Sequence, residues 1–199
     1  MIVSERISKS LVNVLRQNHK IEPEYEEAHK YCIEQLLDLM LYHISLLLLG
    51  LLIHHFLLTV VYIISLTPVK MFAGGAHANS RGMCSFLSYS IYLLSILLCP
   101  LIPHRRMALI ILLLSTELFV FLLAPVCHPN KPLSAQQKRQ MKQNLLIYLS
   151  FLTIIGFVFL ITHLLIYMKM ILLCLLITLT NQLIGIKIYQ TRGGRRTWN

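Results

Sequence analysis

A histidine and a cysteine seven residues apart, His77 and Cys84, share the stretch Lys70-Met-Phe-Ala-Gly-Gly-Ala-His-Ala-Asn-Ser-Arg-Gly-Met-Cys84, which separates two long hydrophobic runs. A thiol becomes a competent nucleophile as the thiolate, and an imidazole is the usual group that takes its proton. On one uninterrupted helix this separation would put the two side chains on the same face but roughly 10 Å apart in rise, beyond hydrogen-bond reach. A working pair therefore needs the chain to fold back, which Gly74, Gly75 and the turn residues Asn79-Ser80 allow. Cys84 opens the next hydrophobic run and is expected in or near a helix's first turn. There the N-terminal amides favour a thiolate, and Lys70 and Arg81 add positive charge nearby in sequence. The residues by themselves leave open both a catalytic pair and a plain glycine-rich connector.

The other groups of chemical interest are weaker. Among nine histidines, His54 and His55 are adjacent and so point in different directions on a helix. No H-E-x-x-H pattern and no neighbouring carboxylates accompany them, so turn or interface roles are expected and no metal or other cofactor is implied. The five cysteines (Cys32, Cys84, Cys99, Cys127 and Cys174) show no C-x-x-C pair, and reduced thiols are expected. Cys127 adjoins His128, but side chains of adjacent residues seldom face each other. Glu117 lies in a hydrophobic run, where an acid is either functional or bonded to Ser or Thr across a helix interface.

The elements that must position the pair follow from composition. The chain has 199 residues, 56% hydrophobic and only 13% charged, in apolar blocks too long for ordinary core helices. It reads as an all-α, polytopic membrane protein with a single membrane domain over residues 1–199. Residues 1–20 place Ile2, Ile7, Leu11, Val14 and Leu15 opposite Glu5, Arg6, Lys9, Asn13 and Arg16. This is an amphipathic helix that either lies on the membrane surface or packs on the rest of the protein. The same residues lack the continuous apolar core of a cleavable signal. Spans are expected at 30–49, 52–68, 84–101, 106–124, 144–163 and 165–187, the first two turning near 50–55 and being short, tilted or re-entrant.

Charge decides between six spans and five. With six, fifteen Lys and Arg fall on the side of the termini, the 69–84 loop and the 125–143 loop. Only Arg105, Arg106 and Lys169 fall on the other. A single span over 36–67 would leave eight against ten, no asymmetry at all. The positive-inside rule then puts both termini and the glycine-rich 69–84 loop in the cytoplasm. The net charge of +10 suits cytoplasmic loops and anionic headgroups of membrane lipids, and no nucleic-acid motif is present. Prolines 125, 129 and 132 make a rigid, non-helical loop. From Ser134 a helix carrying Lys138, Arg139 and Lys142 leads into the fifth span, as a positive-inside flank or as a receiving surface for an acidic peptide. Residues 188–199 form a basic tail.

Gly74-Gly75-Ala76-His77-Ala78, five further residues and Cys84, preceded by Lys70 and flanked by hydrophobic segments, resemble the accessory gene regulator B (AgrB) family of bacterial membrane cysteine endopeptidases. The resemblance extends to chain length, the amphipathic N-terminus and the loop from Ala124-Pro125 to Lys131-Pro132-Leu133. It implies a multi-pass protein of the bacterial cell membrane that processes the pro-peptide of a quorum-sensing signal. Cys84 would attack the peptide bond after the signal sequence, release an acidic C-terminal tail and keep an acyl-enzyme thioester. A Cys or Ser of the signal would then close a thiolactone or lactone. His77 would be the general base and acid. Lys70, Gly74, Gly75, Arg81, Lys131, Lys138, Arg139 and Lys142 would contact the substrate. Lys70 stands where family members often carry arginine or lysine, and as a lysine it does not offer bidentate carboxylate binding. The resemblance also implies self-association as a homodimer. The rival class is a non-catalytic transporter or assembly subunit. It predicts paired intramembrane charges or two similar halves with broken helices, which the sequence lacks.

Overall fold

The computed structural model describes residues 2–17, 26–76, 81–127 and 133–193. These form α1 (Ile2–Gln17), α2 (Glu26–Leu52), α3 (Phe56–Ala73), α4 (Arg81–Leu98), a 3-10 turn (Cys99–Leu101), α5 (Arg106–Leu123), α6 (Ala135–Ile161) and α7 (Leu165–Gly193). All of α2 to α7 contain a stretch long and apolar enough to cross a membrane. The all-α, multi-pass expectation holds, and the turn that divides the first hydrophobic run falls at Ile53–His55, with Gly50 inside α2. The chain forms two compact units, residues 1–53 and 54–199.

In the first unit α1 packs on α2. The buried Ser8 hydroxyl donates to Glu34 Oε1 at 3.2 Å, and Arg16 pairs with Glu26 at 3.4 Å. Ile7, Leu11 and Val14 on α1 stay exposed, an apolar face of the kind that amphipathic helices present to lipid.

In the second unit α7 packs on α3, α5 and α6, and one core joins them through Val69, Ala73, Leu109, Leu113, Val120, Leu145, Leu149, Leu152, Ile171, Leu172 and Leu175. Between α5 and α6, Glu117 Oε2 accepts from Thr153 Oγ1 at 2.6 Å. This is the interface role that was one of its two expected readings. The third helix runs past its expected end at residue 68 to Ala73, with Pro68 inside it. A proline cannot donate to the carbonyl four residues back, here Ile64. In the structure Tyr148 of α6 donates its hydroxyl to that carbonyl at 2.6 Å. A neighbouring helix thereby satisfies the freed group, and the helix passes through the proline.

The ends of the spans are set by local chemistry. Ser134 caps α6 with a reciprocal pair: its Oγ accepts from Gln137 N, and Gln137 Oε1 accepts from Ser134 N. Such a capping box fixes where the basic helix begins. His54, after α2, and His163, after α6, adopt left-handed backbone with φ of 58° and 61°, a conformation that histidine tolerates better than most residues. Both are turn histidines, one of the roles expected for His54. Arg106 donates to His163 Nδ1 at 2.6 Å, and the buried Lys169 ammonium donates to His104 Nδ1 at 3.1 Å.

Candidate active site

The glycine-rich break is shorter than the sequence suggests. Lys70 lies in the last turn of α3, and Arg81 is the first residue of α4. Gly74 and Gly75 end α3 with φ of 71° and 145°, values that side chains strongly disfavour. Gly74 N donates to Lys70 O at 3.1 Å, closing the helix. His77 and Lys131 lie outside the described residues, as does the Arg81 side chain.

What holds the break is the Val126 segment after α5 together with α7, which the sequence did not connect with it. Ala76 N donates to Asn181 O at 3.2 Å, and Tyr189 donates its hydroxyl to Gly75 O at 3.1 Å. Ala73 O accepts twice, from Val126 N at 2.9 Å and from Gln182 Nε2 at 3.3 Å, and the same Gln182 nitrogen donates to Val120 O at 3.1 Å. Two close approaches fix the backbone further. A Cβ on Gly75 would sit 2.2 Å from Asn181 Nδ2, and one on Gly185 would sit 2.8 Å from Ala76 N. Glycine on both partners lets loop backbone lie directly on the helix. The signal was present in the sequence: Asn181, Gly185 and Tyr189 recur every four residues and share one helix face.

Cys84 ends the first turn of α4, next to the amides that lack an intrahelical partner. It lines a cavity of about 290 Å³ between α3, α4 and α7. Lys70, Ala76 and Asn181 stand on the same wall lining, and Leu66, Leu87, Ile91, Leu173, Ile177 and Ile184 make most of the remainder apolar. Cys84 is half-exposed and its thiol has no hydrogen bond to any described residue. The buried thiols differ: Cys99 donates to Ile166 O at 3.3 Å and Cys174 to Tyr62 O at 3.8 Å. Cys127 donates to Pro125 O at 3.6 Å. A partly exposed thiol at a helix N-terminus is where reactive cysteines occur, whereas buried ones are inert. Cys32 is exposed on α2.

The structure thus brings Cys84 and Lys70 to one cavity, with Gly74 and Gly75 in the break beside it. Lys138, Arg139 and Lys142 do not line that cavity. Lys138 and Arg139 are exposed in the first turns of α6. Lys142, by contrast, lies 4.8 Å over the Phe121 ring, a cation–π contact between α6 and α5. Among the described residues no group of His, Cys, Asp and Glu has the arrangement of a metal site.

The family described as "Accessory gene regulator B" matches the chain over residues 8–186. A protein of Clostridium perfringens (strain 13 / Type A) named "Putative AgrB-like protein 2" is 26% identical over 146 residues, covering 68% of this chain and 67% of the relative. No solved structure matches.

Proposed function

This chain belongs to the accessory gene regulator B family, and we propose that within that system it is a membrane-embedded cysteine endopeptidase acting on the pro-peptide of a cyclic signal. One observation carries the reading. Of the described thiols on membrane-spanning helices of the second unit, Cys84 alone is half-exposed, at a helix start and on a cavity wall.

In this mechanism His77 takes the thiol proton and Cys84 Sγ attacks the scissile carbonyl carbon. The tetrahedral intermediate collapses with cleavage of the C–N bond, and His77 returns the proton to the leaving amine. The acidic tail departs and the signal stays on Cys84 as a thioester. A thiol within the signal attacks that thioester in a nearly isoenergetic exchange, and an apolar cavity that excludes water favours ring closure over hydrolysis. A signal with serine would give a lactone. Lys70, on the cavity wall, supplies positive charge for a substrate carboxylate as a point charge. Lys138 and Arg139 are exposed for longer-range capture of the acidic tail.

The asymmetry of fifteen Lys and Arg against three supports a cytoplasmic break, which suits a ribosomally made substrate. The test is co-expression with a peptide from a neighbouring reading frame that encodes an amphipathic leader, a short Cys- or Ser-containing core and an acidic tail. Mass spectrometry should show cleavage by the wild type and none by Cys84→Ala or His77→Ala. Cleavage at the wild-type rate by Cys84→Ala would defeat the mechanism. An impermeant thiol reagent applied to intact cells should leave Cys84 unlabelled, and ready labelling would reverse the orientation.

A further inference from the structure

An acyl-transfer centre needs N–H donors aimed where the former carbonyl oxygen becomes an anion. We propose that the side-chain amide of Asn181 is one such donor, hydrogen-bonding the oxyanion formed when Cys84 attacks in the cavity that both residues line. The proposal rests on the reading of Cys84 as nucleophile.

Asn181 Nδ2 is shut off from water and has no hydrogen-bond partner among the described residues. Leaving a donor desolvated and unpaired is costly, and native proteins keep few such groups. The neighbouring Gln182 shows the alternative, since its amide nitrogen is committed to Ala73 O and Val120 O. Two adjacent carboxamides on α7 therefore differ: one ties helices together and one is uncommitted beside the nucleophile's cavity. Asn181 is also held in place. Its own carbonyl accepts from Ala76 N at 3.2 Å, and its Nδ2 lies so close to Gly75 that only a residue without Cβ fits there.

The step balances within the mechanism above. The S–C bond forms as the carbonyl π pair moves to oxygen, Asn181 Nδ2–H donates to that oxygen, and the pair returns as the C–N bond breaks. Asn181 itself neither gains nor loses a proton.

The experiment uses the full chain in detergent micelles, with the tailed peptide described above as substrate and two measurements on each variant. Peptide cleavage reports acyl transfer. Alkylation of Cys84 by iodoacetamide, followed by mass spectrometry of the Cys84-containing fragment, reports thiolate reactivity without forming any oxyanion. Asn181→Ala should lower kcat by about 100- to 1,000-fold with KM within about three-fold, and leave Cys84 alkylation within about two-fold of wild type. Asn181→Asp keeps the side-chain size but removes the N–H donor, and it should lose as much. Cleavage within about three-fold of wild type by either variant would overturn the proposal. Cleavage and alkylation falling together would also overturn it, because Asn181 would then act through the thiol. Failure of both variants to accumulate in the membrane would assign Asn181 to the fold and end the catalytic claim. Cleavage by a Cys84→Ala control marks failure of the nucleophile reading itself, whereas an inactive control beside active Asn181 variants defeats only this inference.

Discussion

The cavity beside Cys84 has two walls built in different ways. On one side stand the end of α3, the break and α7, where Val69, Ala73, Ile171, Leu172 and Leu175 are all buried and Ala73 O accepts two hydrogen bonds. On the other stands α4, which carries Cys84 but leaves Phe86 70%, Leu94 54% and Leu97 68% exposed. Its ties to α3 lie mid-helix. Tyr92 packs edge-on to Tyr62, with ring centroids 5.2 Å apart, and meets Thr59 at 2.7 Å. Thr59 Oγ1 already donates to His55 O, so Tyr92 is the donor in that pair. The difference separates two demands on one site. On the proposed mechanism, donors that stabilise charge must be fixed in advance, while a wall that admits a peptide must yield.

The fixed wall should break at Gly75. Alanine there combines a disfavoured φ of 145° with a contact of 2.2 Å to the Asn181 side chain. Strain and overpacking together predict a loss of about 2–4 kcal/mol. Thermal unfolding in micelles measures it, and a Gly75→Ala protein as stable as wild type would mean that this wall is not fixed. Tyr148→Phe should cost less, about 1–2 kcal/mol, by stripping the hydroxyl from the Ile64 carbonyl that Pro68 leaves open. Unchanged stability would show that another group or a shift of α3 fills that role.

The yielding wall should respond differently. Tyr92→Phe removes one interhelical hydrogen bond, a loss of about 0.6–1 kcal/mol, while the ring packing remains. Its larger signature should be faster alkylation of Cys84, because α4 loses its polar tie to α3. Equal alkylation rates in wild type and Tyr92→Phe would remove the contrast between the walls.

Much of this was legible in the sequence, and the reasons are physical. Span number followed from hydrophobic length and charge asymmetry, and Cys84 at a helix start followed from where an apolar run begins. The expected span stopped at residue 68, and the Tyr148 hydroxyl that lets the helix continue through Pro68 is 80 residues further along the chain. Likewise the group that holds the break is not among its neighbours in sequence. It lies more than a hundred residues downstream, where Asn181 and Gln182 read as minor interruptions of an apolar helix. Glycine at 185 gave no hint of its partner, because a close approach is a property of two segments. Charge bookkeeping also treated Lys138, Arg139 and Lys142 as equivalent, although only the packed structure separates them.

That separation predicts the smallest effects and locates them. Lys142 lies over Phe121 and so helps to join α6 to α5 on the fixed side. Lys142→Met should lower stability by about 0.5–1 kcal/mol, with the rate of peptide cleavage nearly unchanged. Lys138→Glu with Arg139→Glu touches no such contact. It should leave stability alone and raise the KM for an acidic-tailed peptide a few-fold at low salt, a difference that fades as salt screens exposed charges. Kinetics at low and high ionic strength on both variants test the assignment. If Lys142→Met raises KM as the exposed pair does, the Phe121 contact opens when substrate arrives, and α6 would then move with the yielding wall.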